Sequence, residues 1–327
     1  MQNQDIINPI DRSLLKAELT SDKLLRRTNK SNNEIYITTA HDSPWVMQEI
    51  GRLREIAFRY HGGGTSKPAD IDEFDTMEGA YRQLIVWNPK EEEILGGYRF
   101  LCGSDVRFDT EGRPILATSH LFNFSRKFIE DYLPYTVELG RSFVTLEFQM
   151  TREGSTKGLF VLDNLWDGLG ALSVVDPTLK YFFGMMSIYN TYNQDARDMV
   201  LYFLSRHFPD VDKLITPICP LQTNPDVVRM EAIFHSDNFK ENYKTLTQEV
   251  RKFNINVPPL VNAYMSLSPK MRCFGTATNH KFGEVEDTGI LIAIGEILEE
   301  KKRRHIETYL MEEYPSKPLL KGNGNNN

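Results

Sequence analysis

Apolar positions in this chain follow two periods, and the segments sort by which one they keep. Leu14, Leu15, Leu19, Leu24 and Leu25 recur at helical spacing, so residues 1–33 read as a partly helical N-terminal arm. Glu34 to Thr39 (EIYITT) is rich in β-branched and aromatic residues and reads as a strand. After the helix start Asp42-Ser43-Pro44, the residues Val46, Ile50, Leu53, Ile56, Ala57 and Tyr60 mark one helical face, which Gly62-Gly63-Gly64 ends. Tyr81 to Trp87 and Ile94 to Leu101 read as strands, and the turn Asn88-Pro89-Lys90 makes them a hairpin. A helical stretch near Phe122 to Asp131 precedes a strand from Thr136 to Val144. The order then continues with a helix from Leu159 to about Val174, a strand from Leu179 to Tyr189 and a helix from Asp195 to Arg206. This succession predicts an α/β (α+β) sandwich whose central mixed, largely antiparallel sheet is flanked by helices.

Beyond about residue 207 the periods are weaker and predict an extension of the domain that begins at residue 34. Asn238 to Phe253 keeps a helical face through Phe239, Tyr243, Leu246 and Val250, until Pro258-Pro259 stops it. Leu260 to Leu267 reads as a short helix and Ile290 to Ile294 as a buried strand. A charged helix opens at Lys301, the domain closes near residue 310, and residues 311–327 have the composition of a disordered tail.

Composition narrows the setting more than the function. With 40% hydrophobic and 25% charged residues, the 327-residue chain can bury a sizeable core without staples. Cys102, Cys219 and Cys273 lie far apart, which fits a reducing compartment. Residues 1–33 are polar, with no signal-peptide core, and no window reaches the ~18 apolar residues of a membrane span. A cytoplasmic protein is expected, at most peripheral to a membrane. The net charge of −7 counts against a nucleic-acid partner.

Several short motifs point nowhere. His61-Gly-Gly-Gly64 resembles an esterase oxyanion loop, but the chain has no Gly-x-Ser-x-Gly elbow to accompany it. Arg59-x-x-Gly62-x-Gly64 matches the phosphate loop of coenzyme A-dependent acetyltransferases, yet it follows the first long helix instead of the fourth strand. There is no P-loop, and the seven histidines lack metal-ligand spacing.

The strand Thr136 to Val144 carries Glu138 and Arg141 among apolar neighbours, with Gly140 between them. Glycine inside a strand marks a bulge or a close backbone approach, and a bulge here would turn Arg141 toward the side that Glu138 faces. Taken alone, the pair reads equally as a structural salt bridge. Arg54 and Phe58 share a face of the first long helix, Asp70, Asp72 and Asp75 crowd the loop after it, and Arg99 sits in an apolar strand. Charges at such places are costly unless paired, so Arg54, Asp72, Asp75, Arg99, Glu138 and Arg141 are expected to form one buried network in a cleft.

In this order, Arg54-x-x-x-Phe58, Asp72-x-x-Asp75, Gly-x-Arg99 and Glu138-x-x-Arg141 resemble the motif set of acyl-homoserine lactone synthases. The resemblance is longer, over roughly residues 14–310, to the GNAT-like bacterial amino-acid N-acyltransferases of ornithine-lipid and N-acyl-glycine synthesis, a group often carrying a haemolysin label. Leu165-Trp-Asp-Gly168, Leu179-x-Tyr-Phe-Phe-Gly184-x-x-Ser187 and Pro258-Pro-Leu-x-x-x-Tyr264 extend it. The resemblance implies a GNAT-like fold, with a (3-hydroxy)acyl group passed directly from the phosphopantetheine thioester of acyl carrier protein to an amino-acid amine. No permanently bound cofactor or metal is implied.

Within that chemistry Glu138 is expected to act as the base, directly or through water, so that Glu138→Gln would nearly abolish turnover. Arg99 and Arg141 would hold the acceptor carboxylate or organise the cleft. Asp72 and Asp75 would order the loop over the site by pairing with Arg54. Phe58 and Trp166 are expected on the substrate, and Arg152 and Lys157 at the pantetheine and carrier-protein loop. Phe143, Phe148, Leu165, Phe182 and Phe183 are further candidates for an acyl slot. Glycine is the favoured acceptor, because His61-Gly-Gly-Gly-Thr65 replaces the acidic residues that many ornithine acyltransferases carry there. Ornithine or lysine as acceptor, an S-adenosylmethionine-dependent lactone synthase, and a non-catalytic module that binds acyl carrier protein or lipid are the alternatives.

Overall fold

The computed structural model describes residues 3–149, 157–223 and 225–311. Asp11 caps helix α1 (Arg12–Glu18) by accepting from Ser13 N–H. Leu15 and Leu19 join the apolar cluster of α2 (Pro44–Tyr60). Leu24 and Leu25 depart from the helical expectation. They belong to β1 (Leu24–Arg27), which pairs antiparallel with β2 (Glu34–Thr38). Pairing with β2 outweighs the local leucine spacing and makes this segment the edge of the sheet.

The expected hairpin is β3 (Arg82–Asn88) and β4 (Glu93–Cys102), preceded by the short helix α3 (Glu73–Thr76). The stretch near Phe122 is mixed: β5 (Phe122–Phe124) comes first, and helical turns follow over 126–135. Next come β6 (Thr136–Val144), α4 (Leu146–Gln149), α5 (Lys157–Val175), β7 (Tyr181–Ile188) and α6 (Gln194–His207). The C-terminal part adds β8 (Ile215–Pro217), α7 (Val227–Ile233), α8 (Phe239–Arg251), α9 (Pro259–Met265), β9 (Arg272–Asn279) and β10 (Val285–Ala293). Helical turns run from Glu299–Lys302 to Thr308–Met311. The tail expected over 311–327 lies outside the described residues from 312 onward.

The main sheet has the order β1-β2-β3-β4-β6-β7-β10-β9, with β5 and β8 forming a separate pair. Its neighbours are antiparallel except β6 and β7. Side-chain alternation sends Tyr98, Phe100 and Cys102 into the core under α5 and α6, and Leu101 to the opposite face, where α2 and the 103–135 segment lie. Phe203, Phe208, Phe234, Leu246 and Val250 join the α5–α6 core, so the C-terminal helices extend the same layer.

Strand β9 is absent from the sequence-based expectation because its buried Cys273 and Ala277 alternate with Arg272, Thr276 and Thr278 around a kink. At Gly275, φ is +88° and β9 holds one residue more than β10 opposite it. Asp167 of α5 accepts from Asn29 N–H and side chain at 2.9 and 2.7 Å, and its Oδ1 lies 2.7 Å from His305 Nδ1. The two ends of the fold are thereby tied to the helix that leads away from β6. Among the described residues, no helix is long and apolar enough to cross a membrane.

Candidate active site

Strands β6 and β7 pair over three residues only, Thr136–Glu138 with Tyr181–Phe183. Beyond that point the sheet splits, since β6 stays with β4 and β7 stays with β10. The crotch is tight: a Cβ on Gly184 would lie 2.8 Å from the carbonyl oxygen of Leu139. Above it a cavity of about 600 Å³ opens between Leu139–Val144 on one wing and Met185–Tyr189 on the other. Its two ends differ in character. On the α5 side it is lined by Tyr98, Leu162, Ile188, Pro258, Leu260 and Tyr264, on the α2 side by Phe58, His61, Arg141, Ser187, Phe282 and Asp287.

The bulge expected in β6 is present. Gly97 faces Phe143 and Arg99 faces Gly140, so β6 places two residues, Arg141 and Ser142, opposite Tyr98 alone. Arg141 adopts φ +48°, a left-handed conformation uncommon outside glycine. Its guanidinium stacks 4.2 Å from the centre of the Phe282 ring. Nε donates to Asp70 at 2.8 Å and Nη2 to Asp72 at 3.5 Å. Among the described residues Nη1 has no hydrogen-bond partner, and Arg141 lines the cleft.

Beneath this bulge lies most of the expected network. Arg99 donates to Asp72 at 2.7 and 2.8 Å and to Asp75 at 3.3 Å; Arg54 donates to Asp75 at 3.2 Å. The pairing corrects one expectation: Asp75 meets Arg54, whereas Asp72 serves Arg99 and Arg141. Both aspartates also build the capping box of α3, so the loop over the network and its charges are held by the same carboxylates. Gln83, which the sequence did not single out, accepts from Arg54 at 2.5 Å and donates to Asp75 at 2.9 Å. Burial alone would raise the pKa of Asp75, but Arg54 and Arg99 outweigh it and hold the carboxyl well below the ordinary range.

Glu138 stands apart from these ion pairs. It is 2% exposed, accepts from the Tyr81 hydroxyl and from Thr118 N–H at 3.1 Å, and is not among the residues lining the cleft. Tyr81 in turn lies under Arg99, whose guanidinium is 5.3 Å from the ring centre. Burial raises the Glu138 pKa while the Thr118 and Tyr81 hydrogen bonds oppose that rise. The carboxylate therefore buttresses the crotch from behind, and the base role expected of it has no surface on the cleft.

Phe58 does line the cleft, packed edge-on against Phe282 at 5.0 Å between ring centres. Arg54, Asp72, Asp75 and Arg99 do not; they position Arg141 and α3. Trp166 stands one layer back, edge-on to the cleft residue Tyr264 at 5.7 Å. Of the acyl-slot candidates, Phe143 and Phe148 line the cavity, whereas Leu165, Phe182 and Phe183 are core. Arg152 lies outside the described residues, as does the side chain of Lys157 at the start of α5.

The loop behind the misleading glycine motifs binds a carboxylate of its own chain. Buried Glu55 accepts from Thr65 N–H at 3.0 Å, Thr65 Oγ1 at 2.9 Å and Ser66 N–H at 2.8 Å, and Arg59 closes the set at 2.8 Å. Thr65 and Ser66 thus supply the anion-binding amides, whereas the Gly62 and Gly63 N–H groups are taken by the Arg59 and Phe58 carbonyls, and Gly63 gives Tyr189 room to pack on the loop.

Asp287 escaped the sequence reading. It is 1% exposed and lines the cleft; its Oδ1 accepts from Ser187 Oγ at 2.6 Å and its Oδ2 from Asn279 Nδ2 at 2.8 Å. Burial raises its pKa, against those hydrogen bonds and the nearby charge of Arg141. The usable signal was an alternating start to β10, with Val285, Asp287, Gly289 and Leu291 on one face.

A family model described as an acetyltransferase (GNAT) domain matches residues 53–156. The glycine N(alpha)-acyltransferase of Phocaeicola vulgatus is 62% identical over 319 residues, 98% of each chain. That of Bacteroides thetaiotaomicron is 63% identical over 307 residues, 94% of this chain and 91% of the relative. No solved structure matches this chain.

Proposed function

The chain belongs to the family of these GNAT-domain N-acyltransferases, and from that premise we propose that it moves a fatty acyl group from an acyl carrier protein thioester to the α-amine of glycine. The observation that carries the reading is the two-ended cleft at the split of β6 and β7. An extended thioester arm laid in the split meets the unpaired backbone edges of both strands, much as a further strand would. Its acyl chain then extends along the apolar end, past Leu162, Ile188 and Tyr264.

The acceptor fits the other end. Arg141 offers Nη1 to the carboxylate, and guanidinium suits carboxylate geometry. Asp287 is the one carboxylate among the described residues lining the cleft, which provides for one ammonium. Ornithine or lysine brings a second ammonium that would lack a partner there, and both relatives are named for glycine. Backbone N–H groups along the bulge of β6 supply the oxyanion site for the tetrahedral intermediate.

Transfer is direct. Cys102 and Cys273 are buried, burial pushes the Cys102 thiol up to about 11, and none of the three cysteines lines the cleft. The amine attacks the thioester carbon, the carbon–sulfur bond breaks, and the sulfur leaves with a proton. The carrier-protein donor is supported by the resemblance to lipid-making acyltransferases. It is also supported by the loop after α2, where the Gly62 and Gly63 amides bond to the Arg59 and Phe58 carbonyls and those of Thr65 and Ser66 to Glu55. Mass spectrometry of lipids from cells expressing the chain tests the proposal. N-acylglycine should accumulate, and should be lost with Arg141→Ala; acylated ornithine or lysine in its place would overturn the acceptor.

A further inference from the structure

We propose that Asp287 is the catalytic base, accepting the proton that the glycine amine sheds as it attacks; this rests on the acyl-transfer reading above. Three observations converge on it. Asp287 lines the cleft on the same side as Arg141, Phe58 and Ser187, where the acceptor is bound. Its carboxylate is fixed from both sides, by Ser187 Oγ–H at 2.6 Å on Oδ1 and by Asn279 Nδ2–H at 2.8 Å on Oδ2. A carboxylate oxygen has two lone-pair sites, so each retains one for the substrate.

The third observation is what surrounds it. Arg141 faces Asp287 from β6, His120 from the loop before β5, and the Tyr189 phenol from the end of β7. None of them forms an ion pair with it among the described residues. A buried carboxylate held by neutral donors, without a structural cation of its own, is costly for the fold. It earns its place at a site that must meet a cationic amine. Asn279 is itself oriented, since its Oδ1 accepts from Lys281 N–H at 3.2 Å and lies 3.4 Å from His120 Nε2.

The proton balance is complete. Glycine enters with three protons on nitrogen and the amide keeps one. The departing sulfur takes one, and Asp287 takes the other and passes it to water once product leaves. No oxidant, metal or further reactant is needed. Glu138, by contrast, has no surface on the cleft, and Ser187 and Asn279 act as positioning residues.

The test uses the full chain with an acyl carrier protein thioester and glycine, reading kcat and KM across pH. Asp287→Asn should lower kcat by about 10²–10⁴-fold near neutrality. The deficit should shrink as pH rises and supplies neutral glycine amine; KM for glycine should rise as well near neutrality, because Asp287 also meets the ammonium, and Asp287→Glu should recover part of the rate. Ser187→Ala removes a hydrogen bond that holds the Asp287 pKa down, so its acid limb should move to higher pH. This second variant keeps the test decisive if the first fails to fold. An Asp287→Asn rate equal to wild type, or lowered equally at every pH, would overturn the inference. So would an unmoved acid limb in Ser187→Ala. A wild-type protein that does not acylate glycine at all would instead overturn the function proposed above.

Discussion

Arg141 Nε lies 2.8 Å from Asp70 Oδ2, a contact made across 71 residues of sequence by an arginine whose backbone has φ +48°. The bulge turns the side chain out of the plane of β6 and Asp70 holds it there, so the guanidinium stands at the mouth of the cleft. Asp70 is fully buried. Removing it leaves a charged partner without its anchor, and breaking a buried pair costs about 3–5 kcal/mol. Asp70→Ala should therefore lower the denaturant midpoint substantially and raise the KM for glycine. Urea titration and steady-state kinetics on the same preparation check both.

Arg141→Lys retains the charge but loses the planar fork. Hydrogen bonds to charged groups are worth about 1.5–3 kcal/mol, which corresponds to roughly a 10–100-fold rise in KM for glycine. The change in kcat should be smaller, because the guanidinium binds the acceptor in ground and transition states alike. Initial-rate measurements over a range of glycine concentrations separate the two constants.

Gly184 faces Leu139 across the crotch, where an added Cβ would come within 2.8 Å of a carbonyl oxygen. Gly184→Ala forces β6 and β7 apart at the base of the cleft. The expected result is a loss of about 1–3 kcal/mol from overpacking, with a fall in kcat that outlasts correction for the folded fraction. Thermal melts paired with activity assays read it.

Leu162→Trp should shorten the acyl chain that is accepted, because Leu162 lines the apolar end of the cleft opposite Ile188 and Tyr264. A panel of carrier thioesters of graded length gives the profile. Activity on short chains should persist while that on long chains falls.

Asp75 gives a pH signature of stability. Its pKa in the folded protein lies below the ordinary 3.8, so its contribution is fully present above that value and is lost as pH falls below it. Asp287 and Glu138 have the opposite sign. Their raised values favour the folded state at low pH, and that gain is lost as pH rises through them. The stability gap between wild type and Asp75→Asn should accordingly be constant above the ordinary 3.8 and shrink progressively as pH falls below it, as urea melts over a series of acidic pH values would show.

Much of this was legible in the chain because it depends on local pattern. The α2 face, the β3–β4 hairpin, the limits of β6 and its bulge follow from periodicity and from one glycine between two charges. Arg54, Asp75, Arg99, Asp72 and Arg141 could be grouped because unpaired charges in apolar segments must find each other. Sequence could not assign partners within that group, and so Asp72 was matched to Arg54 instead of Arg99. It could not place Glu138 behind the crotch, since alternation gives a face of the sheet and not a distance from its split. Asp287 leaves only a weak signal, one face of an alternation that is too short to separate from a turn. β10 opens with Val285-Glu286-Asp287-Thr288, which reads as a polar turn until β7 and β9 are seen to flank it. Leu24 and Leu25 kept helical spacing although they pair with β2, a choice made by the partner strand.

Acylation of glycine in the split between β6 and β7 is decided by a competition assay. Purified protein is given an acyl carrier protein thioester with glycine, ornithine and lysine together at equal concentration, and the products are resolved by mass spectrometry. N-acylglycine is the expected dominant product, lost in Arg141→Ala. A mixture dominated by acylated ornithine or lysine, or a glycine product that survives Arg141→Ala undiminished, would contradict it.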